Sequence, residues 1–147
     1  MRNTILGSTD VANPAANTLM AALPADLRSV LKPITKYTDN VGHSSDASAI
    51  SLTIDYLPLM AEYEVRGAQT NANNNEIRYQ EQYEYYKSGN STIKYKQNDV
   101  ASAALWWLRS PKSSNSTDFC DVLINQSGMV FGNHATFSYG VAPVFLV

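Results

Sequence analysis

Apolar positions recur at helical spacing early in the chain and at strand spacing late in it. Leu19, Met20 and Leu23 are spaced for one helical face. Asn13-Pro14 reads as the start of that helix, with Asn13 as cap and Pro14 in the first turn. Pro24 interrupts the stretch and restarts it, which sets Leu27, Val30 and Leu31 on one face of Ala25 to Leu31. Pro33 ends it, because the residue before a proline avoids helical backbone. Ile34 to Thr38 then reads as a strand, Asp39 to Asp46 as a loop, and Ala49 to Ile54 as a half-buried strand by its alternation. Leu57 to Val65 predicts a buried strand end and a helical turn stopped by Gly67. Gln69 to Asn75 is polar enough to be a mobile loop. Glu76 to Lys87 predicts one helix, with Gly89 in the stop position. On that helix Tyr79, Tyr83 and Tyr86 would share a face, either packed on the core or lining a binding or assembly surface.

From Ser91 onward the pattern predicts strands only. Ser91 to Lys96 reads as an edge strand guarded by lysines. Ala103 to Leu108 and Phe119 to Ile124 follow. A turn at Asn125-Gln126-Ser127-Gly128 leads into Met129 to Gly132 as a hairpin. Val141 to Val147 closes the chain as a last apolar strand. Helices first and antiparallel strands last make the order that of an α+β domain, and the length suits a single domain over residues 1–147.

Charged residues are only 16% of the chain and the formal net charge is -2, so no basic footprint for nucleic acid exists. No run approaches the roughly 18 apolar residues of a membrane span, which argues against membrane insertion. The first residues, Met1 to Gly7, lack the basic and apolar regions of a signal peptide. Cys120 is the single cysteine, so an intrachain disulfide is ruled out, and it reads as a small buried apolar residue.

Catalytic patterns fail in turn. The glycines follow no phosphate-loop spacing. His43 and His134 lack ligand-spaced neighbours and read as polar-loop residues, with no metal or other cofactor implied. Glu62 and Glu64 read as the polar side of a short helix. Asp118 and Asp121 flank a strand start, where charge faces water. No nucleophile stands with a base, so the chain reads as non-enzymatic. Arg109 emerges from an apolar strand; it reads as an internal charge partner or carbonyl clamp through its planar fork, with a ligand contact as the alternative. Trp106 and Trp107 point to opposite faces of their strand, one into the core and the other beneath loops.

The run Trp106-Trp107-Leu108-Arg109-Ser110-Pro111, the polar stretch after it, the hairpin around Ser127-Gly128 and Tyr139-Gly140-Val141-Ala142-Pro143-Val144-Phe145 resemble DUF6273 domains. Thr18 to Arg28 and Tyr83 to Ser91 share the resemblance. Such domains are common in proteins of gut bacteria and their phages, and they are similar to the C-type-lectin-like domains of formylglycine-generating enzymes and retroelement-diversified variable proteins. The resemblance implies a C-type-lectin-like fold, with N-terminal helices packed on a small, mostly antiparallel sheet bearing long polar loops. It implies neither formylglycine chemistry, which needs a cysteine pair, nor calcium-dependent sugar binding, whose signatures are absent here. Met1 to Gly7 resembles the interior of longer members, so the chain is expected to be part of a larger protein.

The function expected from these features is a binding module on a phage particle or bacterial surface that recognises a glycan or protein. Its expected site lies in Lys112 to Asp118 and Asn133 to Tyr139: Ser113, Asn115, Thr117, Asn133, His134, Thr136, Phe137 and Tyr139. Mixed aromatic and small polar side chains suit adaptable recognition. The alternative is an assembly or decoration module of a phage tail or capsid, whose partners are virion subunits or further copies of itself.

Overall fold

Thr18, not Asn13, starts the first helix of the computed structural model, which describes residues 5–96, 98–123 and 129–147. Helix α1 is Leu19–Ala22, and the Thr18 hydroxyl accepts from the Ala21 N–H at 3.3 Å. Asn17 sits at φ 64, a left-handed backbone that no α-helix continues through, so a helix opened at Asn13 would be broken there. The Asn13 N–H instead donates to Asp10 Oδ1 in a loop. Helix α2 is Ala25–Val30, after Pro24 as anticipated.

The chain divides into two compact units. The first takes the described residues up to Lys36, with Leu52–Pro58 and Pro143–Val147. Its core is Met20, Leu31 and Leu57, against which Leu19, Leu23, Leu27 and Tyr56 pack. The C-terminal run was expected to be one strand, but its residues Phe145, Leu146 and Val147 are exposed, and an isolated bridge from Leu146 to Lys32 holds the end.

The second unit takes Tyr37–Ser51 and Leu59–Ala142. Strands β1 (Ile34–Asp39) and β2 (Ile50–Asp55) form a two-stranded sheet. Helix α3 (Glu62–Arg66) stops at Gly67, φ 65, as expected for a left-handed cap. The single helix expected over Glu76 to Lys87 is split into a 3-10 helix, Asn74–Tyr79, and helix α4, Glu84–Lys87. Tertiary bonds cause the break: Gln80 is buried with its Nε2 on the Tyr37 carbonyl, and the Tyr83 N–H donates to the Glu64 carbonyl. Tyr79, Tyr83 and Tyr86 therefore share no helix face. Tyr79 stacks on Tyr37 and Tyr86 is buried.

Strand β3 (Lys94–Lys96) pairs with β4 (Asp99–Ala104), and Leu105 separates β4 from β5 (Trp106–Pro111) where one strand was expected. With β6 (Asp118–Val122), β7 (Val130–His134) and β8 (Gly140–Val141), β5 builds a four-stranded sheet in the order β7-β6-β5-β8. Neighbours β7, β6 and β5 are antiparallel, and β8 runs parallel to β5. Mixed helices and small, mostly antiparallel sheets make an α+β structure. The expected turn at Asn125 to Gly128, together with Ile124, lies outside the described residues.

Inside the second unit lie a buried ion pair, Arg109–Glu64, and a set of buried hydrogen bonds around carboxylates. Glu62 and Glu64, expected on a solvated helix side, are both buried. Glu62 accepts from the backbone N–H groups of Thr70, Asn71 and Ala72, so the polar segment expected to be mobile is pinned to α3. Glu64 accepts the Ala61 N–H at 2.8 Å and faces Arg109. The Arg109 fork donates to both Glu64 oxygens, to the Leu59 carbonyl and to the Thr38 hydroxyl. Arg109 is thus both charge partner and carbonyl clamp. Glu76 accepts from the Asp39 N–H, the Ser110 hydroxyl and Gln80 Nε2. Burial pushes its carboxyl above the usual range, against these donors and the Arg109 charge. Cys120 is buried as expected, and burial raises its thiol.

Candidate functional site

Register in the four-stranded sheet decides which side chains share a face. Phe119 lies opposite Asn133 and Asp121 opposite Phe131 across β6 and β7, and Asp121 lies opposite Trp107 across β6 and β5. Directly paired residues point to the same side of a sheet, as do residues two apart along a strand. One face therefore carries Phe119, Asp121, Phe131, Asn133 and Trp107. Strand β8 sets Val141 beside Trp107 and so delivers the preceding Tyr139 over the indole. The Tyr139 and Trp107 ring centroids are 4.7 Å apart, and Phe137 stacks on Tyr139 at 5.8 Å.

This face is unusual in what it exposes and what it hides. Phe131 and Phe137 are 50% and 52% exposed and Phe119 is 36% exposed. Asp121, expected to face water, is fully covered. Its Oδ1 accepts from Asn133 Nδ2 at 3.0 Å, and its Oδ2 has no hydrogen-bond partner among the described residues. Burial raises its carboxyl above the usual range, while the Asn133 hydrogen bond and the Lys112 charge pull it down. The Lys112 ammonium lies over the Phe131 ring, 5.2 Å from its centroid. Gly132 permits that course: a Cβ there would meet the Lys112 methylene chain at 2.4 Å.

The sequence-predicted site residues divide into three groups. Asn133, Phe137 and Tyr139 belong to the aromatic face. Asn115, Thr117, His134 and Thr136 form an adjoining rim. There Asn115 Oδ1 accepts the Thr117 N–H at 2.9 Å, the Ala135 N–H donates to the Thr117 carbonyl, and His134 Nδ1 lies 2.8 Å from the Thr136 hydroxyl. Ser113 is committed elsewhere, since its N–H and hydroxyl both donate to the Asn71 carbonyl.

Sequence reasoning missed Asp121, Phe131 and Phe119 as members of the face. The alternations Phe119-Cys120-Asp121 and Phe131-Gly132-Asn133 carry a signal for them, because each places an aromatic and a polar residue on one side of a strand. Among the described residues no group of three His, Cys, Asp or Glu side chains is placed to hold a metal ion. No helix among them is long and apolar enough to cross a membrane.

A family model described as "Domain of unknown function (DUF6273)" matches residues 17–147. The chain belongs to the DUF6273 family. No curated protein and no solved structure matches it. The whole aromatic face, its rim and the Arg109 clamp lie inside the DUF6273 match, as does the helix pair α1 and α2. The Asp10 loop lies before it.

Proposed function

We propose that this DUF6273 domain is a non-catalytic binding module, displayed on a phage particle or bacterial surface, that recognises a surface glycan or protein. The observation that carries the proposal is the exposed aromatic rings Phe119 and Phe131, which share one sheet face with Asn133, together with exposed Phe137 in the turn that leads to Tyr139. Exposed aromatic clusters rimmed by polar groups mark interaction sites, and strands hold such groups more rigidly than loops do. The rim of Asn115, Thr117, His134 and Thr136 supplies small polar contacts beside the rings. A C-type-lectin-like fold is part of the proposal, supported by the mixed helices and small sheets.

Binding to an array of glycans and to intact bacterial cells tests it. Wild-type protein is expected to bind, and Phe131→Ala with Phe137→Ala to abolish binding while leaving the fold intact. Binding that survives both changes would overturn the site. The same exposed rings suit a second use, burial against sister subunits in a phage tail or capsid. A stable oligomer in solution that these two substitutions dissociate would favour that assembly role.

A further inference from the structure

We infer that Asp121 is the anchoring acceptor of the aromatic face and that the ligand is a neutral, hydroxyl-bearing sugar ring. This rests on the binding function proposed above and adds the chemistry of the ligand to it.

Asp121 stands in β6, between β5 and β7, with its side chain fully covered. One carboxylate oxygen is satisfied by Asn133 and the other, Oδ2, has no donor among the described residues. A buried acceptor left without a donor costs about 1–3 kcal/mol, so Oδ2 calls for a donor beyond those the described residues supply. The register points this carboxylate to the side of the sheet that carries Trp107 and Phe131. Its neighbour Asn133 is half-buried, and so is Tyr139, stacked on Trp107. A ligand hydroxyl that displaces one of them reaches Oδ2.

Charge selects the ligand class. The Asp121 carboxylate opposes an anion, and the Lys112 ammonium over Phe131 opposes a second cation. A neutral polyol meets neither penalty. Its C–H face can lie on the Phe137 ring, which is 52% exposed and backed by Tyr139. Its hydroxyls can donate to Asp121 and exchange hydrogen bonds with the Asn133 amide, which offers both a donor and an acceptor.

Affinity electrophoresis tests the inference, using gels that contain neutral polysaccharides (dextran, mannan, galactomannan) or acidic ones (alginate, hyaluronate). The wild-type chain is expected to be retarded by at least one neutral polymer and by no acidic one. Asp121→Asn keeps the shape and removes the charge, and it is expected to weaken that binding at least about tenfold, the range of a charged hydrogen bond. Asn133→Ala, which leaves the carboxylate in place, is expected to weaken it too and serves if Asp121→Asn fails to fold by near-ultraviolet circular dichroism. Retardation by neutral polymers that is unchanged in the folded variants overturns the role of Asp121 and leaves the binding function standing. Retardation by acidic polymers alone overturns the ligand class in the same way. Capture of intact cells without retardation in any gel overturns the sugar assignment and points to a protein partner. Failure in both gels and cell capture overturns the inference and the binding function together.

Discussion

Replacing Arg109 by Met should be among the most damaging single changes in the second unit. The guanidinium side chain is 11% exposed and the Glu64 side chain 6%. Nη2 meets Glu64 Oε1 at 3.0 Å, Nη1 meets the Leu59 carbonyl at 2.9 Å, and Nε meets the Thr38 hydroxyl at 2.7 Å. Met fills similar volume but takes the Arg109 charge and its two hydrogen bonds away from the buried Glu64 carboxylate. Removing one partner of a buried pair costs about 3–5 kcal/mol, mostly through the stranded charge. Glu64→Gln in the same chain removes that charge, and its amide oxygen can still take the Ala61 N–H that Glu64 accepts at 2.8 Å. The double variant should therefore recover about 2 kcal/mol relative to the sum of the two single changes. Urea denaturation measures this from the midpoints, provided the slope stays constant. A cost below about 1 kcal/mol for Arg109→Met, or strict additivity in the cycle, would refute the buried-pair account.

Glu76 should make stability depend on pH in mild acid. Its folded carboxyl sits above the ordinary value of 4.5, so the folded state holds the proton more tightly than the unfolded state. Its contribution is then greatest below 4.5 and is lost as pH rises to the folded value. Glu76→Gln should remove this component from a series of urea midpoints, and an unchanged pH slope would count against it. Glu62→Ala should cost at least about 2 kcal/mol by unpairing the N–H groups it holds. It should also speed hydrogen exchange at Thr70, Asn71 and Ala72, and unaltered exchange there would show that the segment is ordered by something else. Gly67→Ala should cost about 1–2 kcal/mol from the left-handed backbone alone. Its Cβ would also lie 2.5 Å from Gln82 Oε1, so a loss of Gln82 packing should accompany it, visible as changed side-chain amide resonances.

How much of this was legible beforehand follows from the range of the forces involved. Local chemistry placed β1 and β2 within a residue of their observed positions, restarted the helix at Pro24 and stopped α3 at Gly67. Proline geometry, left-handed glycine and strand alternation act over a few residues and leave their mark in sequence. Asn13 failed as a cap because Asn17 takes a left-handed backbone, which an asparagine permits without announcing it. The long helix over Glu76 to Lys87 failed because Gln80 and Tyr83 bond to β1 and α3.

Within the candidate site the same division holds. Loop composition was the ground for naming Asn133, Phe137 and Tyr139, and Trp106 and Trp107 were assigned to opposite faces by the strand repeat, as their register partners Val122 and Asp121 require. The α+β class, the DUF6273 resemblance and the internal role of Arg109 were likewise present in the sequence alone, whereas β1 and β2 come before α3 and α4 instead of after all the helices. Only the tertiary structure decided that Asp121 is covered while Phe131 is exposed, because burial depends on what a neighbouring strand and the Trp107–Tyr139 stack bring alongside. Only it decided that Glu62, Glu64 and Glu76 lie inside: a carboxylate is hydrophilic in isolation, and its place in the core depends on donors that arrive from segments tens of residues away.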